Sequence, residues 1–583
     1  MGDIAFIARS FGPYRRDFVG AGICVFFESV LELLIPLLMA SIIDDGLATG
    51  DASIVWTRGA AMLGCALAAL ALGGGYARLS ARAAMGLGAN LRRAEFAHIQ
   101  DFAFSNLDSF ESSSLVTRMT TDVTVIQNAL VMGFRPMLRG PSMLVMGLVL
   151  SFVMSARLAV IFCVVLPFLA VVLFLIVRHV GPLYAVLQGV MDRLNDALQE
   201  DLRAIRAIKA FVREDWTQAR FDEVNRAYST TATRTFGGAV LNTPVFQVSM
   251  YVTCVSILWI GGNLILVGEL QVGTLTGFMS YVLQIMNSLM MISGVFLLLA
   301  RALTSIRRVR EVLDERPAIS SAEGAATTVA DGSVVFDHVS FKYHADARKD
   351  VLEDISLSFP AGSTIGVLGA TGSGKSSLVQ LVARLYDVSS GSVRVGGRDV
   401  RDYDLAALRD AVGVVLQRSV LFSGTVRDNL RWGNPDATDA ELLEACRIAC
   451  ADEFLERIGG LDADLGQGGD NVSGGQRQRL SIARTLLKRP KVLVFDDSLS
   501  AVDMATDARI RAGLAGLADV TKITVAQRVN SVMDCDQIVI LDDGCVHAVG
   551  THAELLASDP IYQELYESQI GSGIHGERVV DGC

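Results

Sequence analysis

Six apolar stretches, near residues 18–43, 55–78, 128–153, 158–180, 240–266 and 274–300, fill the first half of the chain, each long enough to cross a hydrocarbon core of about 30 Å. The joins inside the first, second and third pairs are short and carry Asp44, Asp45, Asp51 and Glu269 against one basic residue, Arg157. The two remaining joins are long, helical in pattern and rich in arginine, among them Arg78, Arg82, Arg92, Arg203 and Arg213. Because cationic loops stay inside, both termini are expected on the cytoplasmic face. Segments 108–122 and 206–224 are too polar to enter lipid and predict helical extensions that reach a soluble domain, solvated linkers being the plainer alternative.

Residues 1–17 have aromatic and basic character but no apolar run ahead of a small-residue cleavage site, which predicts an interfacial helix, not a cleavable signal. Residues 18–316 are expected to form the membrane domain, and 317–331, rich in Ala, Ser, Thr and Gly, a linker. From 332 to 570 the apolar runs 334–336, 365–368 and 492–495 alternate with helical stretches, the pattern of a sheet covered by helices. A tail, 571–583, closes the chain.

Composition agrees: 51% hydrophobic and 19% charged residues in 583 point to membrane-embedded mass. The net charge of -11 offers no basic face for a phosphate backbone, so nucleic acid is excluded as a partner. Nine cysteines are scattered without C-x-x-C spacing. Cys446 and Cys450, four apart, predict a buried helix face in preference to a metal or redox pair.

The strongest local signal is Gly369, Ala370, Thr371, Gly372, Ser373, Gly374, Lys375, Ser376, which fits G-x-x-x-x-G-K-[ST] between an apolar strand and a helical pattern starting at Ser377. Glycines let successive backbone N–H groups curl around phosphate oxygens at a helix N-terminus; Lys375 neutralises phosphate charge and the Ser376 hydroxyl ligates Mg²⁺. Asp496, ending the run 492–495, is the expected second Mg²⁺ partner. The fold class is therefore a membrane α-helical domain of six transmembrane helices followed by an α/β P-loop nucleotide-binding domain.

Between these motifs stands Ser473, Gly474, Gly475, Gln476, preceded by Val472 where leucine is more usual. With the loop upstream, the strand downstream and six spans in front, the chain resembles the ATP-binding cassette (ABC) transporters over nearly its whole length, and among them the exporters with six helices per subunit. The resemblance implies that Tyr343 stacks on adenine, the alternative being strand-end packing, and that Gln417 senses Mg²⁺ and the membrane domain. It implies that 500–503 crosses to the opposite monomer and that 464–469 contacts the coupling helices, with Gln467 where glutamate is common. ATP and Mg²⁺ are the implied cofactors, and membrane lipids and a small-molecule substrate the implied partners.

Two departures stand out. Active members place glutamate after the Walker B aspartate, where this chain has Asp497, shorter by one methylene and so withdrawn by about 1.5 Å. They also use a histidine where this chain has Gln527, which hydrogen-bonds but carries no charge. The implied protein is the degenerate-site subunit of a heterodimeric bacterial multidrug exporter in the inner membrane, an ATPase slow at its own site. Its signature residues then complete the site of a second half-transporter that keeps Glu and His. A dedicated lipid, peptide or siderophore transporter and an ATP-gated regulator are the alternatives. Glu28 and Glu32, four apart in the first span, either face the translocation cavity and favour cationic amphiphiles or bond neighbouring helices. Gln284 and Asn287, set among methionines of the sixth stretch, are further cavity candidates.

Overall fold

In the computed structural model, which describes residues 2–569 apart from Ala345 and Ala501, the apolar stretches become helices that overrun the bilayer. Among the described residues six segments are long and apolar enough to cross a membrane: Gly12–Leu47, Ala52–Gln100, Ser112–Met154, Ala156–Arg203, Glu214–Leu266 and Val272–Ile292. The 49 residues of Ala52–Gln100 rise about 74 Å at 1.5 Å each, more than twice the hydrocarbon core, so the same helix spans lipid and extends beyond it. The expected tail, 571–583, lies outside the described residues.

Two compact units form: one of Met1–Gln100 with Ser112–Asp314, the other of Asp101–Glu111 with Glu315–Cys583. In the membrane unit a short helix, Asp3–Ser10, occupies the expected interfacial segment. It is clasped by Asp3 pairing with Arg307 (3.2 Å) and Arg310 (3.0 Å), and by Asn90, whose amide donates to the Ser10 carbonyl (3.1 Å). Those two guanidiniums hold the Asp3 carboxyl below its usual range.

The two carboxylates of the first span are paired. Glu28 lies ten residues past Phe18, roughly 15 Å into the span and so near its middle. Its carboxylate pairs with Arg135 and, at 3.7 Å, with Arg139, while Glu32 pairs with Arg139. Both arginines belong to Phe134–Met154, so the glutamates bond a neighbouring helix, the second of the two readings open from sequence. The Glu28 side chain is only 4% exposed whereas that of Arg135 is 37% exposed, so the pair turns its anion inward. Gly73 of the helix Ala52–Gln100 lies against this pair, where a Cβ would sit 3.2 Å from the Glu28 carboxylate. At the C-terminal end of the first span, Gly12–Leu47, Asp44, read from sequence only as a loop charge, accepts from the backbone N–H groups of Gly273 (2.5 Å) and Thr274 (2.6 Å) and caps Val272–Asp314.

In the second unit the described residues form two sheets where the sequence pattern suggested one. An antiparallel sheet has the order β2-β1-β4-β5, from β1 (Val334–Phe341), β2 (Leu352–Phe359), β4 (Ser390–Val395) and β5 (Arg398–Asp399). The other has the order β10-β9-β3-β8-β7-β6, from β3 (Thr364–Gly369), β6 (Val412–Val415), β7 (Val492–Asp496), β8 (Thr521–Val525), β9 (Gln537–Asp542) and β10 (Cys545–Gly550). Strands β9, β3, β8, β7 and β6 run parallel, with every residue of β7 and β8 buried, as expected for a sheet covered on both faces. The core between the sheets holds Phe336, Phe341, Phe359, Val367 and Leu378. β1 alternates buried and half-buried positions, with His338 alone exposed where the alternation slips, a pattern nearer to an antiparallel strand than to the fully buried β7 and β8.

Cys446 and Cys450 are buried in one cluster, and burial pushes the Cys446 thiol up to about 12. The buried-face expectation holds for position, but Cys450 lies beyond the helix Asp439–Ile448, in a left-handed turn with φ 54°.

Removing one member of the membrane ion pairs has a defined cost. Arg135→Ala is expected to lower stability in detergent by about 1–3 kcal/mol, the surviving Arg139 contact keeping it at the low end for a broken buried pair. Adding Glu28→Gln should restore part of the loss, because no unpaired charge then remains; thermal melts in which the double variant is no better than the single one would refute the pairing as the cause.

Candidate nucleotide site

The edge where the parallel strands end collects the polar groups. β3 delivers Gly369, after which the chain turns through 370–374 and enters the helix Lys375–Val382, two residues earlier than the sequence pattern suggested. Gly374 has φ 95°, and a Cβ there would strike the Val351 carbonyl and the Leu352 side chain; no other residue fits. Lys375 turns its ammonium back to the carbonyls of Gly369 (3.0 Å) and Ala370 (2.7 Å). Burial lowers its pKa, opposed by Asp497 and Asp496.

Ser376 donates its hydroxyl to Asp496 (2.6 Å), joining the loop after β3 to the end of β7. Burial raises the Asp496 carboxyl above its ordinary range. Asp497 follows in left-handed backbone, φ 47°, a conformation that a short polar residue tolerates best after glycine. Its N–H donates to the Val525 carbonyl (3.2 Å), and its carboxylate accepts from the side-chain amides of Gln527 (2.9 Å) and Gln417 (3.4 Å). Gln527 follows β8 by two residues and Gln417 follows β6 by two, so the ends of three strands, β6, β7 and β8, meet at one carboxylate.

Tyr343, Thr371, Lys375, Ser376, Gln417 and Gln527 are among the residues lining a cleft of about 330 Å³. The donor set suits a nucleoside triphosphate: backbone N–H groups of a glycine cradle, one ammonium and a helix N-terminus for phosphate, and Ser376, Asp496 and Gln417 as oxygen donors for a hard cation such as Mg²⁺. Tyr343 stands at the cleft's open side, its hydroxyl 2.8 Å from that of Ser377 and its ring edge-on to Tyr386. Tyr386 in turn donates to Asp108 (2.7 Å) and packs on Phe104, both from the segment Asp101–Glu111, which belongs to this unit. Burial and the Asp108 carboxylate push the Tyr386 phenol up. Tyr386 was not singled out from sequence; only its place at the end of the helical stretch after the loop hinted at it.

The signature residues lie apart from this cleft. Ser473 caps the helix Gly474–Leu486 in a reciprocal box: its N–H donates to Gln476 Oε1 (2.8 Å) and its Oγ accepts the Gln476 N–H (3.4 Å). Gly474 faces open space and Gly475 is half-buried, so the N-terminus of this 13-residue helix is accessible. Val472 packs into the core beside Leu465, which accounts for an apolar residue at that position. Gln467 is exposed. In the 500–503 segment Ser500 donates to the Asp497 carbonyl (2.8 Å) and Asp503 caps Met504–Ala515, while Ala501 lies outside the described residues.

Residues 18–289 match the ABC transporter transmembrane region, and residues 352–500 match the ABC transporter domain. The chain is similar to an uncharacterized ABC transporter ATP-binding protein of Mycobacterium tuberculosis, 38% identical over 97% of this chain and 98% of the relative. It is 36% identical to YfiB of Bacillus subtilis over 96% and 97% of the two chains, and 30% identical to an ATP-dependent lipid A-core flippase of Desulfotalea psychrophila over 85% and 86%. Among solved structures it superposes on a bacterial Atm1-family ABC exporter with ATP bound, TM-score 0.80 at 24% identity, covering 96% of this chain and 99% of that one. The molecule is thus a multi-pass membrane protein that joins a transport domain to an ATP-binding domain in one chain. It belongs to the ABC transporters, as a half-transporter that couples ATP to transport, and its fold is that of the exporter on which it superposes.

Tyr343→Ala is expected to weaken ATP binding by about 1–3 kcal/mol, the worth of one base–aromatic stack, and Tyr343→Phe to retain it. Nucleotide titration followed by fluorescence measures both; an unchanged affinity in the alanine variant would return Tyr343 to plain strand-end packing.

Proposed function

We propose that this chain is one half of a heterodimeric exporter in a bacterial inner membrane, both termini cytoplasmic, whose own site holds Mg²⁺ and ATP and hydrolyses slowly. One observation carries the reading: Asp497 stands where active relatives use glutamate, and its carboxylate is engaged by the amide of Gln527, which stands where they use histidine. A carboxylate shorter by one methylene meets an attacking water at a longer distance. General-base assistance is worth roughly 10²- to 10⁴-fold, and that is the expected deficit. The retained Lys375, Ser376, Asp496, Gln417 and Tyr343 support nucleotide binding.

A second half-transporter with intact Glu and His supplies the other site, and Ser473, Gly474, Gly475 and Gln476 of this chain complete it. The accessible helix N-terminus after Ser473 supports that role, since it presents backbone N–H groups to a phosphate. So do apolar surfaces that a second subunit would cover. In the membrane unit the turn after Ile205–Ala210 leaves Phe211 and Val212 exposed, and in the nucleotide unit Phe422 stacks on Trp432 (4.1 Å) with both exposed.

The cargo is hydrophobic or amphiphilic, with exposed Asn287 and half-buried Gln284 as polar contacts on the last span. Glu28 and Glu32 are assigned no charge selection, because Arg135 and Arg139 neutralise them. The flippase relative favours a lipid as the second reading of the cargo.

Converting Asp497→Glu together with Gln527→His should raise ATP turnover of the purified chain by roughly 10²-fold, while the unaltered chain alone turns over slowly. Phosphate release in detergent or nanodiscs measures this; brisk hydrolysis by the unaltered chain would sink the slow-site reading.

A further inference from the structure

The last described residue of the nucleotide unit bonds to the backbone of the Gln527 segment. Gln569 ends the helix Pro560–Gln569; its Oε1 accepts the Val529 N–H (2.8 Å) and its Nε2 donates to the Gln527 carbonyl (3.0 Å). A planar amide that offers one donor and one acceptor spans the three-residue stretch as a paired strand would. The bond to Val529 also satisfies an N–H at the start of the short turn Val529–Ser531, a donor that has no partner within the turn itself.

This helix is fixed independently of Gln569. Tyr562 is fully buried against Val529, Val532 and Leu555, its hydroxyl lies 2.6 Å from His552 Nδ1, and its N–H donates to Asp559 (2.7 Å). Asp559 is also 2.8 Å from His547 Nε2, and Gln563 donates to the Leu556 carbonyl (2.8 Å). Gln569 is thus a finger on an anchored arm, two turns beyond the buried tyrosine. On the far side of its clamp the Gln527 side chain donates to Asp497 (2.9 Å), so an unbroken path runs from the C-terminal helix through the 527–529 backbone to the carboxylate in the cleft.

We propose that Gln569 is a positioning residue: by clamping the backbone of 527–529 it holds the Gln527 amide on Asp497 and slows release of nucleotide from this chain's site. The proposal rests on the reading of that site as one that retains ATP. Without the clamp the Gln527 carbonyl and the Val529 N–H must find water, the segment gains freedom, and the amide spends less time at the carboxylate.

Release of trinitrophenyl-ATP with Mg²⁺, chased by excess ATP, tests this on the purified full-length transporter in nanodiscs. Gln569→Ala should speed release by about 10-fold, a change of about 1.4 kcal/mol in the bound state, with the thermal midpoint unchanged. Gln569→Glu should fall between, because a carboxylate still accepts the Val529 N–H but has nothing to donate to Gln527. Gln563→Ala, which cuts a bond of the same helix away from the cleft, should release at the parent rate. Parent-like release by Gln569→Ala, or equal acceleration by Gln563→Ala, overturns the clamp. Because the readout is a ratio of variant to parent, brisk hydrolysis by the parent would overturn the slow-site reading alone.

Discussion

Five parallel strands can end their carbonyl-terminal tips at only one edge, and that geometric constraint builds the whole nucleotide site. β3 ends in the loop that carries Lys375 and Ser376, β7 in Asp496 and Asp497, β8 two residues before Gln527, and β6 two residues before Gln417. Residues more than a hundred positions apart meet there because the register of buried strands brings them to the same level, as the Ser376 to Asp496 bond shows. Ligands bind outside the carboxyl ends of such sheets for this reason. Strand register brings these groups together, so the chemistry at the tips can change by substitution without disturbing the core beneath.

The membrane unit obeys a different rule: a charge in lipid must be answered. Glu28 and Glu32 are answered by Arg135 and Arg139, Asp44 by two backbone N–H groups, and Asp3, at the boundary, by Arg307 and Arg310. Each pairing also ties two helices together, so polar groups that would be costly alone serve as fasteners between elements that share no hydrophobic driving force in lipid. Within the pair the Glu28 carboxylate is buried against its neighbours while the longer Arg135 side chain stays partly exposed.

What sequence alone made legible follows from the range of the forces involved. The six spans and the loop of Gly369 to Ser376 were readable because hydropathy and glycine spacing are local properties, and both appear in the structure as expected. The Glu28 to Arg135 pair, 107 positions apart, was not, because an isolated carboxylate in an apolar stretch looks the same whether it faces a cavity or a neighbour. The antiparallel sheet, the Asp44 cap and the Tyr386 to Asp108 bond escaped for the same reason: each depends on which element packs beside which. The Cys446 and Cys450 spacing gave the right burial but the wrong local structure, as the helix stops at Ile448 and Cys450 reaches the same core from a turn. Ser473 and Gln476 were read for a partner's phosphate, although S-x-x-Q is also a capping box, and here one tetrapeptide forms the cap that leaves its helix N-terminus ordered and open.

The two departures in the site are physically one. The two positions are joined by one contact, the 2.9 Å bond from the Gln527 amide to the Asp497 carboxylate. Asp497 sits in left-handed backbone, where a short side chain is tolerated, and its carboxylate lies between two glutamine amides that satisfy it without a proton to give or take. A hydrogen-bonded carboxylate–amide pair of this kind fits the proposed reading of a site that stays assembled around its nucleotide. Strand ends, phosphate loop and signature helix are all present, and under the proposed slow-site reading the groups at 497 and 527 bind each other in place of driving turnover.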